Sequence, residues 1–169
     1  MKIDLKKLNA SAHASIPFDE TIDLTDEKLY GAKPFQSPVH IKGVVSNESG
    51  VVRLAGLVET IYSTECARCL KPLEIPLSAE ADMMLSDDPE AEEEDDLFVL
   101  TSDSVDPADV LVPALILQVQ MTYLCKEDCK GLCPHCGADR NVTDCDCDKK
   151  QIDPRFAALR ALLDSDKGE

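Results

Sequence analysis

Apolar side chains recur at every second position from residue 73 to residue 85, which is the period of a β-strand with one buried face. Charged residues fill three of the positions between them. The apolar positions are Leu73, Ile75, Leu77, Ala79, Ala81, Met83 and Leu85. Pro72 and Pro76 lie on the polar side of this stretch. Because proline cannot donate a hydrogen bond to a neighbouring strand, we expect this end of the strand at a sheet edge.

A second strand precedes the first, because the even-numbered positions of residues 51–66 carry the apolar set Val52, Leu54, Val58 and Tyr62. The short sequence CARCLK joins the two strands, so the simplest geometry is a long antiparallel hairpin with Cys66 and Cys69 at its tip. Residues 38–45 (PVHIKGVV) form a further strand candidate, and residues 1–8 (MKIDLKKL) form a weaker one. Together these segments predict an antiparallel sheet or open β-barrel over residues 1–86.

An acidic stretch, DDPEAEEEDD at residues 87–96, interrupts the pattern with eight acidic residues among ten. Such a run cannot bury itself, so residues 87–105 are predicted to form a solvated linker loop. The same charge would also suit docking of a basic protein or mimicry of nucleic acid. Both interpretations keep the stretch outside the core.

Helical spacing replaces the strand period in the second half of the chain. Asp106 can cap a helix and Pro107 suits its first turn. The predicted apolar stripe of this helix is Val112, Leu115, Ile116 and Val119. Pro113 indicates either a kink or the true start of the helix. Residues 153–166 predict a second capped helix, so residues 106–164 should form a helix, a Cys-rich segment and a terminal helix that pack on the β-domain.

Composition and charge restrict the classes of partner. The chain has 169 residues, 44% of them hydrophobic, and a formal net charge of −16. That charge repels phosphate backbones, whereas a sequence-independent nucleic-acid binder is normally basic. Contact with RNA would need a local basic patch, and basic proteins are the alternative partners. No signal peptide or membrane-spanning stretch is recognisable, so we expect a cytoplasmic protein that does not enter a membrane.

Eight cysteines carry the candidate chemistry of this chain: Cys66, Cys69, Cys125, Cys129, Cys133, Cys136, Cys145 and Cys147. Thiols at this density form a disulfide framework, a redox centre or a metal site. In a reducing cytosol, metal binding or catalysis is favoured over disulfides. A structural metal site is the interpretation that the spacing favours, with one or two zinc ions.

Two pairs, Cys66/Cys69 and Cys133/Cys136, have the Cys-x-x-Cys spacing that lets two thiolates of one tight turn reach a single tetrahedral ion. Gly137 directly follows the second pair and can adopt the positive-φ conformation of such a turn. One site is predicted to combine Cys133 and Cys136 with Cys145 and Cys147. A second site would combine Cys66 and Cys69 with Cys125 and Cys129, if the chain folds back onto the hairpin tip.

Catalytic alternatives fit the sequence less well. A redox Cys-x-x-Cys motif lies at a helix N-terminus, and neither pair has a helical pattern after it. A hydrolytic zinc site keeps an open position among His and carboxylate ligands. The three histidines, His13, His40 and His135, have no helical His-Glu partner. We therefore expect no enzyme activity and no small-molecule substrate.

Three motifs in this order, CARCLKPLEIPL, YLCKEDCKGLCPHCGADRNVTDCDC and DPRFAALRALL, resemble the bacterial YceD family of large ribosomal RNA subunit accumulation proteins, in a cysteine-rich form. The resemblance covers roughly residues 35–164. It implies metal binding by the cysteines and a role in the accumulation of large-subunit (23S) ribosomal RNA, and hence in ribosome assembly. Arg68 lies between the thiols of the first motif. Its charge either stabilises those thiolates or contacts a phosphate or partner from the hairpin tip.

These observations predict an α+β protein that acts as a non-enzymatic ribosome biogenesis factor, with structural zinc held by cysteines. Its partners would be basic ribosomal proteins, or ribosomal RNA through a local patch. The alternative hypothesis is a thiol-based redox or zinc-responsive regulator.

Overall fold

The period-two segments form strands of a five-stranded sheet, and a helix of eleven residues packs against one face of it. The computed structural model describes residues 2–9, 13–29, 31–88 and 96–147. In chain order the elements are β1 (Ile3–Asp4), α1 (Lys6–Asn9), β2 (Ser15–Ile22), β3 (Val39–Glu48), β4 (Val51–Glu65), β5 (Pro72–Ser86), β6 (Leu97–Val99), β7 (Ser104–Val105) and α2 (Pro107–Leu117).

The large sheet has the strand order β2-β3-β4-β5-β6, and its first four strands pair antiparallel with one another. The register places Ile41 opposite Val58, and Val58 opposite Ala79. All three side chains are buried, so the alternating apolar positions share one face of the sheet and form the core with α2. The α+β fold class predicted from the sequence is confirmed.

The long hairpin is confirmed as well, because β4 and β5 pair from Val52 opposite Leu85 to Glu65 opposite Pro72. Beyond β5, the sheet continues only with β6, which pairs with residues 84–86. Among the described strands, the remainder of β5 has β4 as its single neighbour. Pro72 and Pro76 therefore lie at a sheet edge, as predicted.

Two stretches differ from their predicted structure. The linker expected over residues 87–105 contains β6, which is parallel to β5, and β7, which pairs with β1. The weak strand expected over residues 1–8 is limited to Ile3 and Asp4, and α1 follows it. Strands of two or three residues show no periodicity, which is why the pattern of side chains missed them. The division of the chain into domains at residues 86 and 106 stays a prediction.

Helix α2 begins as predicted, because the side chain of Asp106 accepts a hydrogen bond of 3.1 Å from the backbone N–H of Ala108. The predicted apolar face was partly wrong. The buried residues of the helix are Pro107, Val110, Leu111 and Leu115. Apolar residues occupy almost every side of this helix, so their spacing alone does not identify which side is buried. Pro113 is exposed within the helix and does not end it.

No helix in residues 2–9, 13–29, 31–88 and 96–147 is long and apolar enough to cross a membrane. The terminal helix predicted for residues 153–166 lies outside the described residues.

Two paired glycines make room for the core beneath the sheet. Gly43 on β3 lies opposite Gly56 on β4, and the ring of the buried Phe18 covers both. A Cβ atom at Gly43 would collide with the carbonyl oxygen of Ala55 and lie 2.7 Å from Cζ of Phe18. A Cβ atom at Gly56 would lie 3.1 Å from the end of the Leu111 side chain. The absence of side chains here lets Phe18 and α2 approach the sheet.

We predict that Gly43→Ala lowers the free energy of unfolding by about 3 kcal/mol, because its Cβ meets rigid backbone. Gly56→Ala is the matched control and should cost about 1 kcal/mol, since its Cβ would meet Leu111, the Lys42 carbonyl oxygen and the Phe18 ring no closer than 3.1 Å. Urea unfolding of both variants under the same conditions measures the difference. Equal losses for the two variants would contradict the proposed packing.

Candidate metal centres

The tip of the long hairpin is a tight turn that carries two thiols. The backbone N–H of Cys66 donates to the carbonyl of Lys71 at 2.8 Å, and that of Leu70 donates to the carbonyl of Cys66 at 2.9 Å. This closure turns both sulfur atoms inward, so Cys66 and Cys69 are 0% and 9% exposed. Leu70 adopts a φ of 58° to complete the turn, although its side chain is exposed.

The chain after α2 returns to this tip. The backbone N–H of Ala67 donates to the carbonyl of Tyr123 at 2.9 Å, and the ring of Tyr123 packs on that of Tyr62 with centroids 5.6 Å apart. These contacts bring the following segment, with Cys125 and Cys129, beside the turn. The chain therefore folds back onto the hairpin tip, which is the condition under which a second four-cysteine site was predicted.

Four thiols from the two segments meet there and form cluster 1, which consists of Cys66, Cys69, Cys125 and Cys129. The sulfur of Cys66 lies 3.8 Å from that of Cys129, and the sulfur of Cys69 lies 3.6 Å from that of Cys125. All four sulfur atoms lie within 4.8 Å of one another.

The remaining four cysteines form cluster 2, which consists of Cys133, Cys136, Cys145 and Cys147, with all sulfur atoms again within 4.8 Å. Its turn repeats the hairpin tip: the N–H of Cys133 donates to the carbonyl of Ala138 at 2.8 Å, and that of Gly137 donates to the carbonyl of Cys133 at 2.9 Å. Gly137 has a φ of 72°, as its position after the second cysteine predicted. Cluster 2 is the more open, because Cys136 is exposed.

The sulfur geometry fits a tetrahedral ion better than a disulfide. Zinc–sulfur bonds of about 2.3 Å place neighbouring sulfur atoms roughly 3.8 Å apart, whereas a disulfide needs about 2.05 Å. All eight cysteines are free thiols, and the separations of 3.6 and 3.8 Å in cluster 1 match the tetrahedral value, while the sulfur atoms of cluster 2 lie within 4.8 Å of one another. Each cluster can therefore hold one metal ion with a complete set of four soft ligands.

The thiols within each cluster differ in their affinity for a proton. Hydrogen bonding from the backbone of Cys125 lowers the pKa of Cys66 to about 6, against the opposing effect of burial. Backbone hydrogen bonds from Cys136 and His135 lower the pKa of Cys133 to about 6. Each cluster thus contains a cysteine that is already a thiolate at neutral pH.

Other thiols of the same clusters shift in the opposite direction. Burial, together with the neighbouring thiols, raises the pKa of Cys125 to about 12. A hydrogen bond with the side chain of Cys136, and burial, raise the pKa of Cys147 to about 12. A cation that enters either cluster must therefore displace protons, and metal affinity should fall with decreasing pH.

Arg68 is engaged within the protein. Its Nη1 atom donates to the carbonyl of Glu127 at 3.1 Å and to that of Cys129 at 2.9 Å, and its own carbonyl accepts from the N–H of Leu132 at 2.9 Å. Gly131 packs so closely that a Cβ there would lie 2.8 Å from the Arg68 carbonyl oxygen. Arg68 therefore ties the hairpin tip to the segment between the clusters. Its predicted contact with a partner or RNA stays a prediction.

The histidines lie outside both clusters. His13 and His135 are exposed, and Nδ1 of His40 lies 3.0 Å from the hydroxyl of Thr21 on the neighbouring strand. Neither Cys-x-x-Cys turn leads into a helix in the part of the chain that the structure describes.

Asn141 is a site residue that the sequence analysis missed. Its amide nitrogen donates to the sulfur of Cys129 at 3.4 Å, and its amide oxygen accepts from the backbone N–H of Lys130 at 2.9 Å. The surrounding sequence GADRNVTD indicates only a turn, so no periodicity or spacing distinguishes this asparagine.

We predict that Gly137→Ala lowers the free energy of unfolding by about 1 kcal/mol, because a side chain at positive φ is strained. Leu70 occupies the equivalent position in the hairpin tip, where the opposite substitution can be made. Leu70→Gly should raise the unfolding free energy by a similar amount, since it relieves the same strain. Chemical denaturation of the two variants and the wild type tests both predictions. A loss of stability in Leu70→Gly would contradict the predicted strain.

We predict that two thiols of the reduced, metal-free chain titrate near pH 6. Because unfolded cysteines titrate near pH 8.5, the unfolded state binds more protons between these values. The unfolding free energy should therefore rise as pH increases through this window, and this contribution is lost as pH falls to 6. The ultraviolet absorbance of thiolates reports the titration. Cys66→Ser and Cys133→Ser should each remove one of the two low-pH steps, and unchanged curves would contradict the assignment.

Comparison with known proteins identifies a family whose sequence model matches this chain. The family model described as "Large ribosomal RNA subunit accumulation protein YceD" matches residues 54–163. The YlbN protein of Bacillus subtilis (strain 168) is 28% identical over 169 residues, which cover 98% of each chain. The Mb2951c protein of Mycobacterium bovis is 31% identical over 123 residues, which are 70% of this chain and 59% of that protein.

A maize protein named "Large ribosomal RNA subunit accumulation protein YCED homolog 1, chloroplastic" is 26% identical over 155 residues, and this chain spans about half of its length, 52%. No solved structure gives a significant match. The family model covers the larger part of this sequence, from the fourth residue of β4 through both cysteine clusters. The chain therefore belongs to the YceD family.

Proposed function

We propose that this chain is a non-enzymatic, cytoplasmic factor that supports the accumulation of large-subunit (23S) ribosomal RNA, with zinc as a structural ion in both clusters. The observation that carries the proposal is the pair of four-cysteine clusters within the region that matches the YceD family. The family description and the name of the maize relative both refer to accumulation of large-subunit ribosomal RNA.

Zinc is the ion we propose because four thiolates in tetrahedral array are a preferred set for Zn²⁺. With four sulfur ligands no position stays open for a bound water, so the ion would stabilise the fold and not activate a substrate. Cluster 1 would then hold the tail of the chain against the hairpin tip, and cluster 2 would close the last described loop.

Charge favours a basic ribosomal protein over RNA as the direct partner. Each filled cluster of four thiolates and one Zn²⁺ adds two negative charges, so two filled clusters take the formal net charge from −16 to −20. Residues 121–147 around the clusters carry three basic side chains, Lys126, Lys130 and Arg140, against five acidic ones, Glu127, Asp128, Asp139, Asp144 and Asp146. This region has no basic excess with which to hold a phosphate backbone.

The low pKa values favour a second candidate, the thiol-based redox regulator. Cys66 and Cys133 have pKa values of about 6, and a thiolate reacts with oxidants more readily than a thiol. This candidate requires that mild oxidant oxidises cysteines of the metal-loaded chain and expels its ion. Retention of the metal under that treatment would exclude it.

We predict two zinc ions per chain by elemental analysis of the purified, reduced protein. Cys145→Ser should reduce the content to one ion. Cys129→Ser should likewise retain one ion, because it loses the ion of cluster 1. It should lower the midpoint of thermal unfolding more than Cys145→Ser does, because cluster 1 joins two distant parts of the chain. Removal of zinc by chelator should release the ion of the more open cluster 2 first. A chain without bound metal that keeps its midpoint in chelator would contradict the structural role.

We predict that a bacterial strain without this protein accumulates less large-subunit than small-subunit ribosomal RNA, and that the full chain restores the ratio. The Cys66→Ser/Cys129→Ser variant should restore it poorly, whereas the exposed-site control Val142→Ala should restore it fully. Affinity purification of the full chain, followed by identification of bound protein and RNA with and without nuclease, distinguishes a protein partner from RNA. A normal ratio in the deletion strain would contradict the proposed function.

A further inference from the structure

The two clusters share one short piece of backbone. Cys129 belongs to cluster 1 and Cys133 to cluster 2, with three residues between them. The loop between Cys136 and Cys145 folds back over this piece, because the backbone N–H of Arg140 donates to the carbonyl of Gly131 at 3.0 Å and Leu132 pairs with Asp139. A loop whose two ends are ligands of cluster 2 therefore lies against a ligand of cluster 1.

Asn141 reaches from that loop to the other cluster. Its amide nitrogen lies 3.4 Å from the sulfur of Cys129, which is 3% exposed. Three further hydrogen bonds fix the side chain and its backbone: the amide oxygen accepts from Lys130 at 2.9 Å, and the carboxylate of Asp139 accepts from the Asn141 backbone N–H at 2.9 Å and from its amide nitrogen at 2.8 Å. The donor is thus aimed at one sulfur and has little freedom to move.

We propose that Asn141 is a positioning residue through which an ion in cluster 2 slows the release of the ion in cluster 1. The inference rests on the proposed function in one respect, the binding of metal by both clusters. An ion in cluster 2 fixes the two ends of the loop and so reduces the entropy that ordering Asn141 would otherwise cost. The ordered amide then donates to the Cys129 thiolate, and donors to metal ligands change metal affinity about 10- to 100-fold.

Arg68 provides an internal comparison, because it contacts the same cysteine from a different part of the chain. Its guanidinium donates to the carbonyl of Cys129 from the hairpin tip, and no ligand of cluster 2 takes part. This guanidinium contact therefore does not pass through the loop between Cys136 and Cys145. Among the contacts to Cys129 described above, the amide of Asn141 is the one that lies on the loop between Cys136 and Cys145.

The test is a double-mutant cycle on the full, reduced, zinc-loaded chain. The four proteins are the wild type, Asn141→Ala, Cys145→Ser/Cys147→Ser, which empties cluster 2, and the combination of all three substitutions. The rate at which zinc leaves cluster 1 is followed as exchange with an excess of isotopically labelled zinc, which keeps cluster 2 filled wherever its ligands are intact. We expect emptying of cluster 2 to accelerate this release about tenfold in the wild-type background, and Asn141→Ala alone to do the same. In the combined variant the rate should stay within about a factor of two of either parent, as expected for coupled sites.

Two further variants keep this cycle interpretable. Val142→Ala changes the neighbouring residue, which is 83% exposed, and should leave the rate unchanged. Asn141→Asp retains the oxygen that accepts from Lys130 but replaces the amide donor with a carboxylate oxygen beside Asp139 and the Cys129 sulfur, so it should accelerate release at least as much as Asn141→Ala does. This second variant covers the case in which Asn141→Ala disturbs the loop.

The absorption spectrum of the cobalt(II)-loaded protein reports on the hydrogen bond to the Cys129 sulfur directly, separately from any change in the loop. A hydrogen bond to a thiolate raises the energy of its sulfur-to-cobalt charge-transfer band. We therefore expect this absorption to shift to lower energy in cobalt-loaded Asn141→Ala and to stay in place in Val142→Ala. An unshifted band in Asn141→Ala would overturn the proposed contact.

The outcomes separate this proposal from the proposed function. A wild-type chain that binds no metal contradicts both. A wild-type chain with two ions, in which emptying cluster 2 accelerates release by the same factor with and without Asn141, overturns the coupling and leaves the proposed function intact.

Discussion

The meeting of two distant chain segments in cluster 1 is the contact on which the rest of the structure depends. Cys66 and Cys129 are 63 residues apart in sequence, yet their sulfur atoms lie 3.8 Å apart. The segment that follows α2 has few apolar residues of its own, and the cluster, the Tyr123 ring and the Arg68 side chain hold it against the hairpin. Free energy from metal binding would here be folding free energy, because the ligands assemble only when the chain has folded back.

The same turn is used twice with different residues at its strained position. Both turns close with equivalent backbone hydrogen bonds, and both need a positive φ directly after the second cysteine. Glycine fills this position in cluster 2, whereas an exposed leucine fills it in cluster 1. The more buried cluster thus tolerates the less favourable residue. Its neighbours, which include the flanking strands and Arg68, determine the backbone conformation more completely than local preference does.

Sequence patterns predicted those features that repeat or that follow local chemistry. The alternation along β5, the cap at Asp106 and the Cys-x-x-Cys turns all depend on residues close together in the chain. The strand β6, at Leu97–Val99, has three residues and no period, and the buried face of α2 is ambiguous because that helix is apolar on most sides. Asn141 could not be found because its importance arises from a contact twelve residues away in sequence, which only the folded loop creates.

The length of the central hairpin separates two charged regions of the molecule. Each of its strands has fifteen residues, so roughly 45 Å of extended backbone separate the tip with Cys66 and Cys69 from the opposite end, where β5 leads into Asp87 and Asp88. At physiological salt, electrostatic influence fades over about 8 Å. The acidic end and the sulfur-rich end therefore have independent electrostatic potentials. A large partner can contact one end without being attracted or repelled by the charges of the other.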